Sequence, residues 1–135
     1  MYIRMIKRRI ISIIAALIFL IVLSGCGTEE KGSVYMNINA EKAREMMNEL
    51  DEFVLLDARS EEEFSEGHIP GAIVIPHEEI SERAENEILE KDIPIFVYCR
   101  SGRRSKIAAE ELVSLGYSEI YEFGGIIDWP YEIEK

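Results

Sequence analysis

The sequence predicts an α/β domain of three layers, built on a five-stranded, mainly parallel sheet. Five short apolar runs alternate along the chain with amphipathic stretches at helical spacing. Strands separated by helical crossovers pair in parallel and are covered by helices on both faces. Hydrophobic residues make up 47% of the chain and charged residues 30%, a balance that supports a packed core and excludes intrinsic disorder. The 135 residues suffice for one such domain.

The predicted strands are the runs rich in β-branched and aromatic residues, namely 34–38, 53–56, 72–75, 95–98 and 120–123. Between them the apolar spacing predicts helices over 40–50, 81–89 and 105–115. Asn39 is the expected N-cap of the first helix, and Gly116 is the expected end of the last. Ser60 and Glu63 form a capping box that predicts a further helix after the second strand.

The first 25 residues predict a bacterial lipoprotein signal peptide. Four basic residues precede the apolar run 10–23, in which only Ser12 is polar. As a helix this run would span roughly 21 Å, short of the ~30 Å hydrocarbon core, so it suits a signal peptide better than a permanent span. Leu23-Ser24-Gly25-Cys26 resembles the lipobox, which implies lipidation of Cys26. The alternative is an uncleaved N-terminal anchor with an unmodified Cys26.

Both alternatives predict the same location. A basic N-terminus stays in the cytoplasm, so we expect the domain at 34–135 outside the cytoplasm, held at the cell membrane by lipid on Cys26. Residues 26–33 are small, polar and charged, and predict a flexible tether. The first 25 residues hold four of the 15 basic residues and none of the 26 acidic ones, so the remainder carries a net charge of about −15. Such a surface excludes nucleic acid as a partner.

Cys99 is the predicted catalytic residue. A buried-strand sequence runs directly into Cys99-Arg100-Ser101-Gly102-Arg103-Arg104, and a helix is predicted to begin at Ser105. A thiol between the carboxyl end of a strand and the amino end of a helix meets unpaired N–H groups and the positive end of the helix dipole. With three arginines and Lys106 nearby, we expect its pKa below the ordinary value. The alternative is a small, buried structural cysteine.

This loop resembles the active-site loop of single-domain rhodaneses, which are sulfurtransferases. Four further motifs are similar to that family and stand in its order: Leu55-Leu56-Asp57-Ala58-Arg59, Glu63-Phe64, Gly67-His68-Ile69-Pro70-Gly71-Ala72, and Leu115-Gly116-Tyr117 with Gly124-Gly125-Ile126 and Trp129. The resemblance covers nearly all of 34–135 and implies the strand order 1-5-4-2-3. It also implies that Cys99 takes a sulfane sulfur from an anionic donor such as thiosulfate as a persulfide. Cyanide or a thiol then accepts the sulfur, with no metal or organic cofactor.

The resemblance assigns roles around Cys99 as well. Substrate binding is expected of Arg100, Ser101, Gly102, Arg103, Arg104 and Ser105, whose N–H and guanidinium groups hold the persulfide and attract the donor. Asp57 and Arg59, which end the second strand, are expected to support the loop. The acidic run 61–63 is expected to be a solvated face. The two histidines are far apart in the sequence and no cysteine pair accompanies them, so no zinc site is predicted.

Two other functions stay open. Protein tyrosine phosphatases place five residues between the cysteine and a phosphate-binding arginine, whereas four lie between Cys99 and Arg104. The loop is one residue short for a phosphatase or an arsenate-reductase-like enzyme. The second alternative is a redox or binding module in which Cys99 captures oxidised thiols or forms a mixed disulfide with a thiol-bearing partner protein.

Overall fold

A five-stranded, all-parallel sheet forms the centre of residues 34–135, the part of the chain that the computed structural model describes. Its strands are β1 (Met36–Asn37), β2 (Val54–Asp57), β3 (Ile73–Val74), β4 (Ile95–Cys99) and β5 (Ile120–Gly125). They lie in the order β1-β5-β4-β2-β3. The predicted fold class and the strand order implied by the resemblance are both confirmed. The predicted signal peptide, tether and lipidated Cys26 lie outside the described residues.

Four α-helices connect these strands: α1 (Ala40–Glu49), α2 (Glu61–Glu66), α3 (Ile80–Glu87) and α4 (Arg103–Ser114). Single 3₁₀ turns at His77–Glu79 and Ile126–Asp128 precede α3 and follow β5. The caps form as predicted, with Asn39 accepting from the Lys42 N–H and a complete capping box at the start of α2. Within residues 34–135, no helix has the length and apolar character needed to cross a membrane.

The helices cover the two faces of the sheet. On one face α3 and α4 pack against the sheet, in a core that includes Leu56 of β2, Val97 of β4 and Leu112 of α4. On the other face Ala43 and Met47 of α1 pack in a cluster with aromatic side chains that include Phe96 and Trp129. Every residue of β4 is buried, which explains why its sequence is a continuous apolar run rather than an alternating one.

Several element boundaries differ from the predicted ones. The edge strands β1 and β3 are only two residues long, because each has a partner on one side only. Helix α4 begins at Arg103 and not at Ser105. Gly102 has a φ of 97°, a left-handed conformation that completes the turn in a single residue. Ser105 therefore lies in the first turn of α4, facing the end of β5.

Candidate active site

Cys99 is the last residue of β4, the central strand of the sheet. Its side chain is buried, and Cys99 as a whole is 1% exposed. The pairing between β4 and β5 is regular up to Val97 and then shifts, so that Cys99 pairs with Gly125. This irregularity places the thiol at the carboxyl end of the sheet, directly beside the first turn of α4. The structure thus locates the predicted catalytic residue where strand, loop and helix meet.

The loop closes tightly around the sulfur atom. The N–H of Gly102 donates to Cys99 Sγ at 3.1 Å. On the outside of the loop, the carbonyl oxygen of Arg100 lies 2.1 Å from the position that a Cβ on Gly125 would occupy. The N–H of Ile127 also donates to this carbonyl, at 3.3 Å. Only glycine at position 125 allows the loop backbone to approach β5 this closely.

Two opposing effects act on the Cys99 thiol. Burial raises its pKa, because a charged sulfur loses its contact with water. Hydrogen bonds from the Ser105 side chain and from the backbone N–H groups of Ser105, Gly102 and Ser101 lower it. The net result is a pKa below the ordinary value of a cysteine. The thiol therefore ionises more readily than an ordinary cysteine, and the thiolate is the nucleophilic form.

The three loop arginines fall into two groups. Arg104 forms two hydrogen bonds with the carboxylate of Glu63 in α2, at 2.6 and 2.8 Å. This guanidinium group lowers the pKa of Glu63 to about 2. The expectation that Glu63 lies on a solvated face is therefore wrong, because a tertiary contact across 41 positions partly buries it. Arg100 and Arg103 are exposed and leave their charge available at the entrance of the site.

Asp57 and Arg59 form a buried ion pair at the end of β2. Arg59 Nη2 lies 2.7 Å from Asp57 Oδ2, and Arg59 Nε lies 3.0 Å from both carboxylate oxygens. Arg59 also donates to the carbonyl of Gly67 at 2.7 Å, and its guanidinium group lies near the ring of Tyr98. The pair thus contacts the residue before Cys99 and the turn before β3. Within residues 34–135 it makes no hydrogen bond to positions 100–105, so loop support stays a prediction.

Glu122 is a site residue that the sequence did not single out. It is 2% exposed, and its Oε1 accepts from the Ser105 hydroxyl at 2.6 Å and from the Gly124 N–H at 2.9 Å. The same Ser105 oxygen lies 3.4 Å from Cys99 Sγ. The available signal was a single acidic residue among the apolar positions of β5, where burial of a carboxylate is costly.

A cleft of about 480 Å³ adjoins the loop. Glu63, the partner of Arg104, lines this cleft. Ile127, whose N–H donates to the Arg100 carbonyl in the loop, lines it too. Exposed apolar surface from Ile127 and Ile133 lies beside the charged groups of Arg59 and Lys135. Across the described part of the chain, no three His, Cys, Asp or Glu side chains are grouped as metal ligands would be.

The fold and the loop together define an α/β protein with an activated thiol at the amino end of a helix. A family model described as "Rhodanese-like domain" matches residues 39–130. The chain belongs to the rhodanese-like family.

Relatives of known name agree with this membership. The chain is 37% identical over 73 residues to "Thiosulfate sulfurtransferase PspE" of Escherichia coli (strain K12), covering 54% of this chain and 70% of that protein. It is 33% identical over 108 residues to "Putative sulfur carrier protein YrkF" of Bacillus subtilis (strain 168). That match covers 79% of this chain but only 57% of YrkF.

A solved structure titled "rhodanese with anions from E. coli" is similar as well. The TM-score is 0.59 at 33% sequence identity, over 62% of this chain and 99% of the other.

Proposed function

We propose that this protein is a sulfurtransferase that moves a sulfane sulfur from an anionic donor such as thiosulfate to cyanide or a thiol. The observation that carries the proposal is the hydrogen bond from the Gly102 N–H to Cys99 Sγ, at the amino end of α4. This arrangement stabilises negative charge on one sulfur atom. The names of PspE and YrkF support the same reaction class.

In the first half of the reaction the Cys99 thiolate attacks the outer sulfur of thiosulfate. The bond between the two donor sulfurs breaks, and sulfite leaves with the electron pair. A Cys99 persulfide anion is formed, and the total charge is unchanged. In the second half cyanide or a thiolate attacks the terminal sulfur, and Cys99 is released as a thiolate. The step needs no oxidant and no metal.

The loop residues divide the work in this scheme. The N–H groups of Ser101 and Gly102, together with the hydroxyl of Ser105, hold the charged sulfur. Arg100 and Arg103 attract the anionic donor, since their exposed guanidinium groups are positive charges in an acidic domain. Arg104 fixes the loop to α2 through Glu63.

This division weakens the phosphatase alternative. A phosphate-binding arginine needs an open guanidinium fork, whereas both nitrogens of Arg104 that face Glu63 are already bonded to its carboxylate. The loop is also one residue shorter than the phosphatase spacing. The redox or partner-binding alternative depends on the same Cys99 thiol. In our proposal, a thiol-bearing partner protein would instead act as the sulfur acceptor.

The test is thiosulfate-to-cyanide transfer by the domain at 34–135 and by its Cys99→Ser variant. We expect turnover by the unchanged domain and none by the variant, because a serine hydroxyl does not ionise near neutral pH. Circular dichroism checks that the variant is folded. Transfer by a folded Cys99→Ser variant would remove Cys99 from the reaction. Cleavage of an aryl phosphate without sulfur transfer would favour the phosphatase alternative.

We also propose that the domain works outside the cytoplasm, attached to the cell membrane by lipid on Cys26. The support is the order of basic residues, apolar run and lipobox-like Leu23-Ser24-Gly25-Cys26. Metabolic labelling with a fatty acid tests this in cells that express the full chain. We expect label on the unchanged protein and none on Cys26→Ala, with equal turnover by the two proteins. Label retained by Cys26→Ala would exclude Cys26 as the lipidation site.

A further inference from the structure

Glu122 is a buried carboxylate that the sulfur-transfer scheme does not use. Its Oε1 is bonded to the Ser105 hydroxyl and to the Gly124 N–H. Among the described residues, no Arg, Lys or His nitrogen forms an ion pair with it. An ionised carboxylate that is 2% exposed and lacks a cation is costly.

The Ser105 hydroxyl lies between this carboxylate and the reactive sulfur. Its oxygen is 2.6 Å from Glu122 Oε1 and 3.4 Å from Cys99 Sγ. A hydroxyl has a single proton, so it can donate to only one of the two. If Glu122 is ionised, it accepts the hydrogen bond from the Ser105 hydroxyl, and the Cys99 thiol donates a hydrogen bond to Ser105 Oγ. If Cys99 is a thiolate, it accepts the hydrogen bond from the Ser105 hydroxyl. Glu122 must then be protonated and donate a hydrogen bond to Ser105 Oγ.

We propose that Glu122 is a positioning residue that takes up the proton of the Cys99 thiol through the Ser105 hydroxyl. The proton on Sγ passes to Ser105 Oγ while the hydroxyl proton passes to Glu122 Oε1. One S–H bond breaks and one O–H bond forms on Glu122, and the buried group carries one negative charge before and after. The inference rests on the proposed role of Cys99 as nucleophile and adds the destination of its proton.

The surroundings favour a shared charge over two charges. Ionising Cys99 beside an ionised Glu122 would place two anions in one buried site. Of the charged groups near the thiol, Arg104 is paired with Glu63 and Arg59 with Asp57, whereas Arg100 and Arg103 are exposed to solvent. On the strands that flank β5, the in-register neighbours of Glu122 are not titratable: Asn37 on β1 and Val97 on β4. The proton that leaves the thiol therefore has one buried acceptor within reach.

The rate of Cys99 alkylation by iodoacetamide, followed across pH with no sulfur donor or acceptor present, tests the proposal. Two groups that share one proton titrate as a pair in two steps. We expect the unchanged domain to show two steps, with a reactivity plateau between them. Glu122→Gln should show one step, below which the rate falls about tenfold per pH unit, as for an isolated thiol.

Ser105→Ala is the second variant, because it keeps both titrating groups and removes the hydroxyl that joins them. We expect its two steps to lie closer together in pH, because the hydrogen bonds that stabilise the singly charged pair are lost while the repulsion between the two anions remains. Glu110→Gln removes an exposed carboxylate from α4 and should keep both steps. The ultraviolet absorbance of the thiolate gives an independent titration, and circular dichroism confirms folding of each variant.

Two outcomes would overturn the proposal. One is a single step in the unchanged domain that merely moves to lower pH in Glu122→Gln, as expected when a neighbouring negative charge is removed. The other is the same profile in both proteins. Alkylation does not require sulfur transfer, so a two-step profile in a domain that fails to turn over thiosulfate would contradict the proposed function and leave this inference standing.

Discussion

The strand that carries Cys99 is flanked by two buried carboxylates of different kinds. Asp57 ends β2 on one side, and Glu122 lies in β5 on the other. The guanidinium group of Arg59 donates several hydrogen bonds to the Asp57 carboxylate. Among residues 34–135, only neutral groups donate to Glu122, and one of them also contacts the Cys99 sulfur. One carboxylate has a buried cation as its partner, and the other has a hydroxyl that also contacts the Cys99 sulfur.

The difference suggests that the two strands beside β4 have different roles, one in stability and one in the chemistry of Cys99. A buried ion pair is held together because each partner would be costly alone, so it cannot easily change protonation. A carboxylate among hydroxyl and amide groups has no such constraint. In our proposal, the β2 side fixes the frame of the site and the β5 side responds to the charge on Cys99.

The largest expected effect comes from breaking the fixed pair. Asp57→Asn leaves the Arg59 guanidinium group buried without a counter-charge, and we expect a loss of about 3–5 kcal/mol in the free energy of unfolding. Urea denaturation followed by circular dichroism measures it. A loss below about 1 kcal/mol would show that Asp57 is no more important to the frame than a surface charge.

On the β5 side, Gly125→Ala should act on the loop. A Cβ at this position would lie 2.1 Å from the Arg100 carbonyl oxygen, so the loop must move away from β5. We expect sulfur transfer to fall at least about tenfold, which corresponds to ~1.4 kcal/mol of lost transition-state stabilisation.

The matched control for this substitution is Gly71→Ala. Its Cβ would meet no atom within 4 Å, although its φ of 82° is strained for alanine. This variant should lose some stability and keep its rate of transfer once folded. If the two variants transfer sulfur equally well, the contact between loop and β5 does not shape the site.

A smaller effect is expected from the partly buried pair between Glu63 and Arg104. Because the pKa of Glu63 is about 2 when folded and near 4.5 when not, the pair stabilises the fold above pH 4.5. That contribution is lost as the pH falls from 4.5 through 2. Glu63→Gln should cost about 1–2 kcal/mol near neutral pH and flatten the acid limb of a plot of unfolding free energy against pH. An unchanged acid limb would contradict the assignment.

The smallest effect on stability should come from Glu122→Gln. An amide oxygen can still accept from Ser105 and Gly124, and no buried cation loses a partner, so we expect a loss of about 1 kcal/mol or less. The measurement is the same urea denaturation as for Asp57→Asn. Equal losses in the two variants would end the distinction between the two carboxylates.

Much of the fold and the centre of the site could be predicted from the sequence. The buried run before Cys99 and the glycine after it place a thiol between a strand and a helix, because these signals are local. The beginning of α4 was misplaced by two residues, since nothing local shows that Gly102 adopts a left-handed conformation. Two features were beyond local patterns. The contact of Glu63 with Arg104 and that of Glu122 with Ser105 depend on how α2, α4 and β5 pack, and in sequence both acids resemble surface residues.

The central claim is that Cys99 carries sulfur, and intact-mass analysis of the folded domain after treatment with thiosulfate tests it most directly. We predict an added mass of one sulfur atom on the unchanged domain, its removal by cyanide, and its absence from Cys99→Ser. A folded domain that gains no sulfur, or that gains it equally without Cys99, would contradict the account.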